Sequence, residues 1–213
     1  MKFANELNKE LSIIVAELNE EASKLLINKE TDYRVVALRG LSNYTRVIFD
    51  RLIVNQNAPI EHFAISARNL FECYLLIAYV IDEPSRAKEF ISQKAFEELE
   101  INEGFLSLTT TTTSETSIKM ILDRMDDIKK LMKSAELTPS RHWNVSHLAI
   151  QTNNKIEYDA FFKLYSKYVH PSSWIVNSHD FEYDNPVIKN IFFSQGQIFT
   201  RRIVKLIYKY QGK

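Results

Sequence analysis

Between Ile60 and Ile81 the chain reads IEHFAISARNLFECYLLIAYVI, and after Asn69 it is apolar on nearly every face. A helix that is hydrophobic all round must be enclosed by others, so this stretch is predicted to be the central, most buried helix of the fold. Pro59 suits its first turn, where a missing N–H has no partner to lose. Arg68 and Glu72, near the middle, are the exceptions. Four residues apart, they share one helix face, and charges in apolar surroundings persist only when paired and hydrogen-bonded. Two readings are open: an ion pair that sets helix register, or part of a functional site.

The flanking segments repeat the helical period. Phe3, Leu7, Leu11, Ile14, Leu18, Ala22 and Leu25 recur every three or four positions, which predicts an amphipathic helix over 3–27. Thr31 and Asp32 are candidate caps for a second helix running to about Val54. Beyond the central helix, Glu83-Pro84 restarts the chain into a fourth, from Ser85 to about Leu99 and ending before Gly104. Five consecutive threonines, Thr109 to Thr113, read as a loop. Thr112 and Glu115 form a capping-box pattern before a fifth helix faced by Ile118, Ile121, Met125, Ile128, Leu131 and Met132, with Asp126 and Lys130 one turn apart. Pro139 is expected to open a short helix through Trp143 and Leu148, broken at Asn153-Asn154. A longer one spans about Glu157 to Val169, and Asn185-Pro186 opens the last. Pro171 disfavours helical geometry at His170, which therefore sits at or just past its helix's final turn.

The expected fold is all-α: a single domain, residues 1–213, forming a bundle of about six to eight helices. Its N-terminal helix is placed over 1–30 and its loops over 106–116 and 171–185. Four Gly and 5 Pro are too few for a turn-rich β protein.

Lys plus Arg and Asp plus Glu each total 27, so any attraction to nucleic acid must come from a local patch. Cys73 is the only cysteine, which excludes an intrachain disulfide and fits a reducing, cytoplasmic setting. Glu6 and Glu10 precede the first short apolar run, unlike a secretory signal, and no apolar stretch is expected to reach the ~20 residues of a membrane span. Phosphate-cradling glycine motifs and the nucleophile elbow are missing. No Glu-x-x-His pairing joins His62, His142, His147, His170 or His179 to a metal motif, so neither metal nor cofactor is called for.

Two constellations remain. The first is the Arg68–Glu72 pair. The second is LYSKYVHPSSW, in which Tyr165 or Ser166 lies about one turn from His170, so that hydroxyl and imidazole can converge at the helix end. The plain structural alternative for His170 is capping of its own helix carbonyls. Arg141 and His147 also match an R-x(4–6)-H spacing, but six residues leave them two-thirds of a turn out of phase. Cys73 has no base at an activating spacing and reads as core.

SARNLFECYLLIAYVI, HWNVSHLA and YSKYVHPSSW together resemble an uncharacterised bacterial helical family, a domain of unknown function with an R-x-x-x-E helix and a Y-S-x-x-x-H-P element. The resemblance implies that Arg68, Glu72, Tyr165, Ser166 and His170 form the site. The chain is more loosely similar to the HEPN superfamily, which includes metal-independent endoribonucleases of toxin–antitoxin and phage-defence systems. There, Tyr165 and Ser166 stand where the HEPN element carries Arg and a polar residue, and Arg68 is the cation that would replace that Arg. The similarity implies RNA as partner; Arg201, Arg202, Lys205 and Lys209 make the last helix basic at its end, which suits it either to guide RNA or simply to complement its own dipole. A homodimer is suggested by the apolar load of the central and last helices. The alternative is a non-catalytic sensor or interaction module, with an unknown partner protein, built on an Arg/Glu/His polar network.

Overall fold

The structure is a computed structural model that describes residues 2–27, 32–54 and 57–212. Among them every regular element is helical and none is a strand. In chain order they are α1 (Lys2–Ile27), α2 (Tyr33–Val54), α3 (Ile60–Asp82), α4 (Pro84–Ser107), α5 (Glu115–Ser134), α6 (Val145–Gln151), α7 (Lys155–Glu157), a π-helical turn (Tyr158–Phe162), α8 (Lys163–Val169), α9 (Ser173–Val176), a 3-10 turn (Asp180–Asp184) and α10 (Pro186–Gln211). They fall into two compact units, one made of the chain up to Asp82 together with the chain from Asn144 onward, the other Glu83–Trp143.

In the first unit α3 is the centre, packed against α2, α6, α8 and α10. Ala67, Leu70, Phe71, Leu75 and Ile77 are wholly enclosed, as a helix apolar on all sides requires. Phe71 meets Phe199 of α10 at 4.8 Å between ring centroids, and each fully buried aromatic contributes about 2 kcal/mol by leaving water. α10 approaches this core through Gly196: a Cβ there would collide with Leu52 Cδ2 and lie 3.2 Å from Leu70 Cδ1.

By length and composition α3 also qualifies as a membrane-crossing helix, its most apolar 18-residue window having a mean hydropathy of 1.4. This corrects the expectation that no stretch comes so close; the helix here is clothed by its neighbours, with half of that window buried.

Local signals explain the ends of the helices. Asp32 caps α2, its Oδ1 accepting the Arg34 N–H at 2.8 Å. Asn185 caps α10 by accepting from the Val187 and Ile188 amides, with Pro186 in the first turn. Thr31 and the side chains of Phe3 and Leu7 lie outside the described residues.

The second unit is built on α4 and α5, with Arg124 of α5 donating to Glu98 of α4 at 2.6 Å. The unit departs from sequence expectation in several places. α4 runs through Gly104 to Ser107, because nothing crowds that exposed position and a helix tolerates one glycine for about 1 kcal/mol. The connecting loop accordingly shrinks to 108–114. Thr112 does not cap α5; its hydroxyl pairs with that of Thr110, and Ser114 takes the N-cap position without a side-chain bond. Lys130 pairs with Asp127 at 3.3 Å rather than with Asp126. Pro139 opens no helix. Ser140 Oγ and Trp143 Nε1 both donate to Glu89 of α4, holding this stretch extended.

In the first unit, α6 starts only at Val145, where Asn144 accepts the Ser146 N–H. Asn153, at φ 58, supplies the left-handed break that follows α6. The expected 171–185 loop contains α9 and the 3-10 turn.

Candidate functional site

Two elements of the first unit deliver the site. α3 carries Arg68 and Glu72 on one face, and α8 ends where Pro171 forces His170 out of the helix, to φ −120 and ψ 154. The imidazole reaches across 102 residues of sequence to α3, where Arg68 Nη1 lies 3.0 Å from His170 Nε2. A guanidinium only donates, so Nε2 accepts, and the ring in this arrangement is the tautomer bearing its hydrogen on Nδ1.

Arg68 is held from two further sides. Its Nε donates to Glu72 Oε1 at 3.0 Å, and its Cζ sits 4.7 Å from the centroid of the Phe162 ring. Carboxylate and aromatic face together fix the guanidinium plane. The Arg68 and Glu72 side chains are 24% and 22% exposed, and His170 is exposed, so the cluster opens to solvent instead of being sealed in the core. Nη2 has no partner among the described residues and is available to an anion.

Tyr165 and Ser166 are not part of this cluster. Tyr165 is 0% exposed, its ring edge-on to Phe192 of α10 at 5.4 Å, and burial pushes its phenol far above the ordinary tyrosine value. Its hydroxyl has no hydrogen-bond partner among the described residues. Ser166 spends its hydroxyl on the Phe162 carbonyl one turn back. Phe162 was not singled out from sequence. Its place beneath Arg68 depends on the π turn, which no spacing rule announces. Lys167, three positions before His170 and exposed, also has no acidic partner among the described residues.

Both arginines at the basic end of α10 face carboxylates. Arg201 faces Glu10 at 3.7 Å, and Arg202 Nη1 bonds Glu157 at 3.3 Å while its Cζ lies 5.6 Å and 5.5 Å from the Tyr74 and Phe199 ring centroids. Lys205 shares a groove with Glu17, Glu20 and Glu21. Lys209 is exposed.

Cys73 is buried, and desolvation pushes its thiol up to about 12, so it is a core residue and a poor nucleophile. Among the described residues no group of three or more His, Cys, Asp or Glu is disposed to hold a metal ion.

Fold and site thus define a class: all-α proteins with a solvent-facing arginine–histidine pair, assembled from the central helix and the C-terminus of another. Residues 51–186 match DUF5677, a family of unknown function, and since the match spans more than half of the chain, the protein belongs to that family. The matched span contains Arg68, Glu72, Phe162 and His170, and stops at the first residue of α10. No curated protein and no solved structure matches the chain.

Proposed function

We propose that this protein is an HEPN-like, metal-independent endoribonuclease of the toxin or phage-defence type. The observation that carries the reading is the 3.0 Å contact between Arg68 Nη1 and His170 Nε2 at a solvent-open position. RNA cleavage without a metal needs a cation for the charge developing on the phosphate and a base for the attacking hydroxyl, and the pair supplies one of each.

An incoming phosphodiester takes the Arg68 Nη1 and Nη2 hydrogen bonds and so releases the Nε2 lone pair. That nitrogen removes the proton of the 2′-hydroxyl. The 2′-oxygen bonds to phosphorus, the P–O5′ bond breaks, and the proton passes from the imidazolium to the leaving 5′-oxygen. The products are a 2′,3′-cyclic phosphate and a 5′-hydroxyl. Glu72 acts through Arg68, keeping its plane fixed.

Incubation of RNA with purified protein in EDTA tests the scheme, with circular dichroism confirming that each variant is folded. Cleavage by wild type leaving cyclic-phosphate ends, with losses of about 10²-fold or more in His170→Ala and Arg68→Ala, is expected. Unchanged activity in either folded variant removes that residue from the mechanism. The second reading, a polar network serving a non-catalytic sensor or interaction module, is favoured by one observation: Glu72 already balances the Arg68 charge at 3.0 Å. Absence of cleavage by wild type shifts the weight to it.

A further inference from the structure

The segment after His170 carries an aromatic side chain that the fold does not use. Trp174, at the start of α9, is 55% exposed. The other tryptophan, Trp143, is stacked on Phe90 and donates its indole N–H to Glu89. An indole left largely open to water forgoes the burial that large aromatic side chains ordinarily gain, and its place four residues after His170 makes it a candidate contact for a ligand there.

Trp174 is nonetheless held in place. Tyr168, a buried residue of α8 six positions before it, packs its ring edge-on against Phe192 at 5.4 Å and anchors the helix from which α9 follows. The backbone of α9 is tied to the same helix. Ser172 Oγ donates to the Lys167 carbonyl at 2.9 Å and accepts from the Ile175 amide, while Ile175 is buried. The α9 backbone that carries Trp174 is therefore fixed relative to α8, the helix that presents His170, with no more than about 14 Å of chain between the two residues. A rigid aromatic with a wet face is what a nucleobase stacks on.

The phosphate side points the same way. At the end of α10, Arg201 and Arg202 face the carboxylates of Glu10 and Glu157, which weakens that helix as a track for a duplex backbone. Base faces are then the stronger handle, and a duplex keeps them stacked on one another while a single strand offers them freely.

We infer that Trp174 is the base-stacking residue of the site, and that the RNA taken at Arg68 and His170 is single-stranded there with one base laid on the indole. This inference rests on the ribonuclease reading for what happens next to that base, and on its own observations for the stacking.

The test uses a 2′-O-methyl RNA oligonucleotide, which lacks the attacking hydroxyl, as a single strand and annealed to its complement. Tryptophan emission and anisotropy are followed, and cleavage of unmodified RNA is measured in parallel. The single strand is expected to quench wild type and Trp143→Phe, and the duplex to bind at least tenfold more weakly. Trp174→Phe keeps binding but loses the quench. Trp174→Ala weakens binding about tenfold and raises KM with kcat at saturation unchanged. Quenching that persists in Trp174→Phe, wild-type affinity in Trp174→Ala, or equal affinity for duplex overturns the inference. Quenched binding without cleavage of unmodified RNA keeps the stacking and sinks the ribonuclease reading. Cleavage without quenching does the reverse, and neither binding nor cleavage sinks both.

Discussion

Two of the places where the first unit brings arginines to the surface give them different company. At the α3–α8 site Arg68 lends one nitrogen to Glu72 and one to a histidine that an anion can replace, and keeps Nη2 in hand. At the end of α10, Arg201 and Arg202 face carboxylates of Glu10 and Glu157, and Lys205 lies among three glutamates. Counting cations ranks the second place higher. What sets the first place apart is the partner: Arg68 meets an imidazole as well as a carboxylate, whereas Arg201 and Arg202 face carboxylates without a base beside them.

The largest effect that would break this contrast is on activity. Arg68→Ala is expected to lower RNA cleavage by about 10²-fold or more, and Arg201→Ala by less than about threefold. A larger loss from Arg201→Ala would show that the ion pairs open and that α10 guides RNA after all. Salt dependence sharpens the same point. If only Arg68 and one neighbouring cation meet phosphates, log K against log salt should have a slope of about −1 to −1.5, far shallower than a basic track gives. Stability assays then ask what α10 is for. Gly196→Val pushes a side chain into Leu52 and should cost about 1–3 kcal/mol, whereas Lys209→Ala should stay within about 0.5 kcal/mol, both read from urea unfolding.

The smallest effect concerns how the end of α10 meets α2. Burial raises the Asp32 carboxyl, but hydrogen bonds from Arg34 and from Tyr210 outweigh it and hold the group below its ordinary 3.8. A lowered folded value means that its stabilisation is present above pH 3.8 and lost as acid carries the pH down through the folded value. Tyr210→Phe should move the Asp32 titration upward in a carboxyl-detected NMR experiment; no movement would mean that the 3.4 Å contact contributes nothing in solution.

Much of this was legible in the sequence where one residue's chemistry decides an outcome alone. Asp32 capped a helix, and Asn185-Pro186 opened one. Pro171 expelled His170, and the apolar ring around α3 put it at the centre of its unit. Legibility ended where a partner distant in sequence decides. Glu89 captures Ser140 and Trp143 and cancels the helix Pro139 suggested, and an open environment lets α4 pass Gly104. Of the site, Arg68, Glu72 and His170 were readable as polar residues in unsuitable places. Tyr165 misled because a hydroxyl near a histidine in sequence says nothing of phase. Five residues place it about 140° around the helix from His170, on the side that meets Phe192.

The turn at Tyr158–Phe162 has one further consequence. A π turn is in effect an α-helix that has absorbed one inserted amino acid, so each residue downstream sits where its predecessor would in an unbroken helix, about 100° of rotation and 1.5 Å of rise behind. His170, at the end of α8, lies beyond that offset. Excising a single residue from the turn would let the segment relax to an unbroken α-helix with His170 still in register, whereas imposing α geometry on the full-length turn would swing His170 about 100° away from the arginine it now touches.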